Sequence, residues 1–376
     1  MRGALTGLLA AAAAAGAAAD AGAATAAGEP RRRVTPAAPL AHGSMTYAVP
    51  CADTYARAGL PAGGAGCMPT ACARHLEDGF VTPREVDRLL AMLAPGFARS
   101  SATAGPTILD VNSGYLRDSA TGVVNIYQRG RGKDAAPPVV FAADDLALYR
   151  SVFDRIRARI VDVFNLTTLF FTAPTFVTRI IGSPDWEPRD MHDEYFHPHV
   201  DMGSTPHYHY SGLLYLASHA SVDGGDDGGE GAPGPRFSGG EFAFLTARNA
   251  SPTVQSPDGG VGRDAESEEP EEEHVVLPRG GRLLLFSAGH ENLHAVRRVV
   301  SGERLVFSMW FTCDEARHFS TFLDNQAHAT AGRGGGGGGS DGGGDDRRRA
   351  SRKRRPAAPS RRRDAGANRV EDGGEL

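Results

Sequence analysis

The sequence predicts a mainly β protein with flanking helices, an antiparallel sandwich or jelly roll buttressed by helices on its N-terminal side. Three observations carry this expectation. From Phe171 onward the apolar residues fall into short runs rich in β-branched, aromatic and leucine residues, punctuated by Gly, Pro, Ser and Asp. No helical periodicity interrupts those runs, which is the pattern of strands joined by turns. Upstream, two stretches instead repeat their apolar residues at helical spacing.

The chain has 376 residues, of which 48 are glycine, and its start is alanine-rich. Such segments bury little apolar surface, so fewer than about 300 residues are expected to fold. Residues 1–26 read as a secretory signal: Arg2, an apolar stretch around Leu5, Leu8 and Leu9, and a cleavage option at Ala21-Gly22-Ala23. The alternative for this segment is alanine-rich low complexity or an organelle transit peptide. Alanine and glycine are too weakly apolar for it to make a good membrane span. The sequons Asn165-Leu166-Thr167 and Asn249-Ala250-Ser251 fit a lumenal glycoprotein.

Residues 27–45 read as a Pro/Arg-rich linker. Residues 46–170 read as a Cys-containing, helical N-terminal part of the main domain. Thr82 and Glu85 form a capping box with Pro83 at the first helical position, Val81 is placed to staple onto Val86, and Val86, Leu89, Leu90 and Leu93 make the apolar stripe. Pro95-Gly96 ends this helix. A longer helix is expected from Asp144 to Phe164, with Leu146, Tyr149, Phe153, Ile156, Ile160 and Val163 on one face. Strands follow over 175–181, 208–217, 240–245, 282–287, 294–300 and 304–311, within a core of residues 171–328. The polar stretches 221–238 and 250–273 are expected to be disordered insertions, and 329–376 a disordered Gly/Arg-rich tail. Four cysteines, Cys51, Cys67, Cys72 and Cys313, lack the spacing of a Cys-x-x-Cys zinc or redox site and allow three disulfide connectivities if all pair.

The net charge of −5 is unevenly spread. Residues 333–376 hold 12 basic and 7 acidic residues, while 221–273 hold 13 acidic and 3 basic. The folded body is therefore near neutral, which argues against a nucleic-acid-binding face. The arginine clusters of the tail read as a solvated segment, with a nuclear-import signal or polyanion-binding arm as the alternative.

Candidate chemistry begins at Phe196-His197-Pro198-His199-Val200-Asp201. A histidine and a carboxylate two residues apart in a β-prone context project from one face, giving two ligands of a 2-His-1-carboxylate facial triad. His294 opens a later strand-like run and can supply the second nitrogen. After an expected turn at Ser301-Gly302, Arg304 returns toward the same cavity, set among Leu305, Val306, Phe307, Met309 and Trp310. An arginine in such company needs an anion, and a bidentate carboxylate is the natural one.

His199-x-Asp201, Gly239-Gly240-Glu241-Phe242, Pro278-x-x-Gly281-Arg282, His294-x-Val296, Gly302-x-Arg304 and Trp310-Phe311 occur in an order that resembles the prolyl 4-hydroxylase-like 2-oxoglutarate/Fe(II) oxygenases. The resemblance runs from about Phe171 to Cys313. It is looser from Cys67 to Leu93, where Asp78-Gly79-Phe80 precedes the capped helix. It implies a double-stranded β-helix, a cupin-like jelly roll, with Fe(II) held by His199, Asp201 and His294. Arg304 would pair with the far carboxylate of 2-oxoglutarate, with dioxygen as cosubstrate and ascorbate as an accessory reductant. The implied reaction hydroxylates an unactivated C–H bond, by default in a peptidyl, prolyl-type substrate, and releases succinate and CO2. A tyrosine, Tyr208, Tyr210 or Tyr215, would also contact the cosubstrate. Two other readings compete: a zinc metallopeptidase built on His290-Glu291-Asn292-Leu293-His294, and a catalytically inactive oxygenase fold serving as a binding module.

Overall fold

A computed structural model describes residues 33–55, 59, 64–130, 136–188, 196–220, 231–246 and 271–319. The signal-like start, the arginine-rich tail, Asn249 and most of both acidic insertions lie outside these residues.

In chain order the strands begin with β1 (Arg33–Thr35), β2 (Ser44–Val49) and β3 (Cys72–Glu77), followed by helix α1 (Pro83–Phe97). A three-stranded meander comes next, β4 (Gly105–Leu109), β5 (Tyr115–Asp118) and β6 (Gly122–Asn125), then helix α2 (Ala143–Val163). The remaining elements are β7 (Phe170–Phe171), β8 (Phe176–Ile181), a single helical turn α3 (Asp201–Ser204), β9 (Tyr210–Tyr215), β10 (Ser218–His219), β11 (Arg236–Gly239), β12 (Phe242–Thr246), β13 (Glu271–Val276), β14 (Leu283–Ser287), β15 (His294–Val296) and β16 (Val299–Thr312). The large sheet is ordered β2-β3-β14-β9-β16-β8-β4-β5-β6, and the small one β1-β13-β12-β15. Two facing, mainly antiparallel sheets of this kind make the expected double-stranded β-helix.

Both expected helices form. In α1 the Thr82 side chain accepts from Glu85 N while Glu85 reaches back to Thr82 N, so two orphan donors are satisfied reciprocally. The helix does not stop at Pro95 but continues to Phe97. A proline in the last turn removes one hydrogen bond and leaves little helix behind it to disrupt. The extra residues bury Gly96 and Phe97. Helix α2 has no side-chain cap, but Asp144 and Asp145 in its first turn complement the helix dipole.

The residue alternation of β16 places everything else. Leu305, Phe307, Met309 and Phe311 share one apolar core with Val86, Leu89 and Leu93 of α1 and Phe153, Ile156 and Ile160 of α2. Each such buried side chain stabilises the fold by roughly 1.5–3 kcal/mol. The intervening residues, Arg304, Val306, Ser308 and Trp310, face the space between the sheets. A second core, with Leu76, Tyr215, Phe242, Phe244, Leu284 and Phe286, fills the rest of that space.

Several elements depart from expectation. Among the described residues of 46–170, strands β3 to β6 and most of β2 accompany the two helices, and β1 forms within the expected linker, parallel to β13. The parts of the acidic stretches adjoining the barrel are strands: β11 begins at Arg236 and β13 at Glu271. Their charges sit at strand ends, where Arg297 pairs with Glu272 and Arg74 with Glu273. The chain does not reverse at Ser301-Gly302. Gly302, with φ of +74°, stays inside β16 opposite Phe237, where a Cβ would come within 2.1 Å of the Arg236 carbonyl oxygen. No reversal separates β15 from β16 either: the two run on as one ribbon antiparallel to β12 and β11, from His294 opposite Phe244 to Gly302 opposite Phe237.

Two motifs separated by about 200 residues meet. The fully buried Arg282 spends all five donors: on Asp78 Oδ1 and Oδ2 at 2.6 and 3.0 Å, and on the carbonyls of Pro36, Leu277 and Ala38 at 2.7, 2.7 and 3.0 Å. This one side chain fastens the N-terminal segment to the barrel end. The disulfides are Cys51–Cys72 and Cys67–Cys313. No described helix is long and apolar enough to cross a membrane.

Candidate metal centre

His199, Asp201 and His294 converge. Their ligand atoms lie within 4.8 Å of one another, and Asp201 Oδ1 is 3.9 Å from Nε2 of each histidine. The local backbone differs from the expected strand: His199 forms an isolated bridge to His294, and Asp201 opens α3. His199 N donates to the His294 carbonyl at 2.9 Å and His294 N to the His199 carbonyl at 3.0 Å. The two histidines are thereby registered through main chain, and the turn that follows swings the carboxylate under both rings.

Each imidazole is oriented the same way. His199 Nδ1 is 3.1 Å from the His197 carbonyl and His294 Nδ1 is 2.8 Å from the Asn292 carbonyl. A backbone acceptor places the proton on Nδ1 and leaves Nε2 as an electron-pair donor. The His294 ring lies over Phe242 with centroids 4.9 Å apart. Burial pushes its pKa down to about 4, Asp201 opposing and His199 adding, so the imidazole is neutral, as a ligand must be.

Beneath His294 lies a support that sequence reasoning missed. Arg74 of β3, 2% exposed, donates from Nε to Asn292 Oδ1 at 2.7 Å and from Nη2 to the Glu291 carbonyl at 3.2 Å. Asn292 in turn donates to the Ser287 carbonyl and hydroxyl at 2.8 and 3.1 Å. No sequence pattern marks Arg74, because its partners are about two hundred residues away.

The peptidase arrangement does not form. His290–Asn292 is a 3-10 turn and His294 begins β15, so the two histidines are not on one α-helical turn. His290 is exposed. The Glu291 carboxylate accepts from Tyr55 Oη at 2.8 Å and Ser287 Oγ at 2.6 Å. It is a structural acceptor and does not line the cavity shared by His199, Asp201 and His294.

Arg304 lines the same cavity of about 270 Å³ as the three ligands, together with Thr178 and Trp310. It is 2% exposed, and its Nε donates to the Gly240 carbonyl at 3.0 Å. The glycine pair explains itself here: Gly239 and Gly240 have φ of +69° and +67°, and a Cβ on Gly240 would come within 3.0 Å of Arg304 Cδ. Of the three candidate tyrosines, Tyr210 donates to the Cys67 carbonyl at 2.8 Å, and Tyr208 stacks on Trp310 at 5.1 Å. Tyr215 alone lies against Arg304, with the guanidinium carbon 5.6 Å from its ring centroid. Its buried hydroxyl has no acceptor for its proton, and burial pushes its pKa up to about 12 against the opposing pull of Arg304, which points a donor at it, and of Arg282. An arginine beside an unsatisfied phenol fits a carboxylate, and two imidazoles with one carboxylate fit a divalent iron ion.

Residues 188–312 match the model of the 2OG-Fe(II) oxygenase superfamily. It is 30% identical over 251 residues to the human protein named 2-oxoglutarate and iron-dependent oxygenase domain-containing protein 3, and 31% identical over 252 residues to that of Xenopus tropicalis. Each alignment covers 66% of this chain and 65% of the relative, so the chain spans just under two thirds of those proteins. It is also 26% identical over 210 residues to rat prolyl 3-hydroxylase 2, covering 49% of this chain and 24% of that one. A solved prolyl hydroxylase from Trichoplax adhaerens, in complex with a peptide fragment of the hypoxia inducible factor oxygen degradation domain, aligns at 11% identity. It covers 74% of this chain and 94% of its own, with a TM-score of 0.35.

Proposed function

We propose that this protein is an Fe(II)- and 2-oxoglutarate-dependent dioxygenase that hydroxylates a peptidyl, prolyl-type substrate. The observation that carries the reading is the placement of His199, Asp201, His294 and Arg304 around one cavity. His199, Asp201 and His294 would hold the iron, leaving coordination positions for cosubstrate and oxygen. With these bound, the centre supplies oxidative decarboxylation of 2-oxoglutarate to succinate and CO2, coupled to oxygen insertion into an unactivated C–H bond. Arg304 and Tyr215 bind and orient the distal carboxylate of the diacid. Phe242 and Phe286 exclude water from the inner side of the ligands.

Support for a polypeptide substrate comes from the sheet itself. Directly opposed residues share a face, and one row runs Val306, Thr178, Ile108, Arg117, Val123 across β16, β8, β4, β5 and β6. Its first three members line the cavity, and its last, Val123, is 64% exposed. The cavity wall thus continues outward as an open sheet face on which a chain can lie while one residue enters. At the cavity, Trp310 is stacked on Tyr208 and met edge-on by Phe176 at 5.7 Å, a surface suited to a saturated ring such as proline. The two disulfides support folding in an oxidising compartment, in keeping with a secretory location. Ascorbate as an accessory reductant belongs to the same reading.

The test is metal content and turnover of 2-oxoglutarate by the purified protein. We expect Fe(II)-dependent succinate release that Asp201→Ala abolishes. Tightly bound zinc, with no iron-dependent turnover and no effect of Asp201→Ala, overturns the reading.

A further inference from the structure

We infer that Ser211 is a positioning residue that decides which oxygen of Asp201 meets the metal; the inference rests on the oxygenase reading above. Ser211 is 2% exposed, and its hydroxyl donates to Asp201 Oδ2 at 2.6 Å. The other oxygen, Oδ1, is the one 3.9 Å from both imidazole Nε2 atoms. The two oxygens are therefore assigned different partners, one to a hydroxyl and one to the ion.

Asp201 needs such a restraint. It opens a single turn of helix, and Val200 before it gives no side-chain cap, so main chain alone does not fix the rotation of the carboxylate. Ser211 comes from a central strand of the large sheet. In β9 it is opposed by Phe286 of β14 on one side and Trp310 of β16 on the other. Its neighbour Gly212 packs against Met309, Ile156 and Leu285, where an added Cβ would lie 3.3–3.4 Å from each. The hydroxyl therefore transmits the register of the central sheet to a ligand carried on a loop. A carboxylate without it is free to turn and offer either or both oxygens, and a second bound oxygen takes a position that cosubstrate or dioxygen needs.

Anaerobic titration with Co(II) tests this, using wild-type protein, Ser211→Ala and Ser211→Thr and following the visible absorption of the bound ion. Ser211→Ala should bind Co(II) about tenfold more weakly, the lower end of the usual effect of removing a partner of a ligand. Its absorption spectrum should change, and Ser211→Thr, which keeps the hydroxyl, should restore both. A purely structural role would shift the melting temperature and leave the spectrum alone. Wild-type affinity and spectrum in Ser211→Ala overturn the inference. Failure of the wild-type protein to bind Co(II) instead overturns the oxygenase reading on which it rests.

Discussion

The guanidinium carbon of Arg304 lies 5.6 Å from the ring centroid of Tyr215, whose buried hydroxyl finds no acceptor for its proton. A cation and an unspent donor side by side make a carboxylate receptor. Arg304→Ala should raise the KM for 2-oxoglutarate about a hundredfold, the equivalent of roughly 3 kcal/mol for a charged hydrogen-bonded partner. Tyr215→Phe should raise it about tenfold. Iron affinity measured without 2-oxoglutarate should be unchanged in both. An unaltered KM in Arg304→Ala would place the cosubstrate elsewhere.

Glu291→Gln separates the oxygenase from the peptidase. The Glu291 carboxylate receives Tyr55 and Ser287 at 2.8 and 2.6 Å. Neutralising it weakens two charge-assisted hydrogen bonds, so stability should fall by about 1–2 kcal/mol and the melting temperature by a few degrees. Iron-dependent turnover per folded molecule should persist. Loss of activity in a variant that is still folded and still binds iron would reinstate Glu291 as a catalytic base.

Val123→Asp probes the open sheet face. Val123 is opposed to Arg117 in the row that reaches the cavity. With a proline-rich polypeptide as probe, the variant should raise the KM for the polypeptide severalfold. Succinate released from 2-oxoglutarate without polypeptide should be unaffected. An unchanged polypeptide KM would remove β6 from the substrate path.

His274 sets an acid limit on stability. It is fully buried on β13, with Nε2 2.8 Å from Thr35 Oγ1. Burial, then Arg74 and Arg33, push its pKa down to about 3. An unfolded chain takes up this proton near pH 6.5, so between the two values the unfolded state binds more protons and stability falls as pH falls. At pH 5 the loss from this site is about 2 kcal/mol relative to neutral pH. Urea unfolding at about pH 7.5 and pH 5 should show it, with a shallower decline in His274→Gln. Equal declines in variant and wild type would contradict the assignment.

Much of the site could be read in the sequence because its chemistry is confined to a few residue types at short spacing. His199 and Asp201 are two residues apart, and alternation along β16 puts Arg304 and Trp310 on one face. Their reading survived a wrong local conformation, since Asp201 opens a helical turn where a strand was expected. Long-range partners were not legible. Arg74 and Ser211 act on ligands by hydrogen bonds that no periodicity encodes. The short strands β1, β4, β5 and β6 were missed for a related reason. At three to five residues each, they are too short for alternation to register, and it is pairing with longer strands that holds them.

The Cys67–Cys313 bond joins positions 246 residues apart. Between them lie His199, Asp201, His294, Arg304 and both long helices, so the β-helix core is a covalent ring whose clasp sits just past the end of β16. The ring closes only after residue 313 has been made, which ties completion of the N-terminal segment to the last strand of the barrel. Once it is closed, a single proteolytic cut within the ring opens it without releasing a fragment. Nicked protein should therefore run as one species until a reductant separates the pieces.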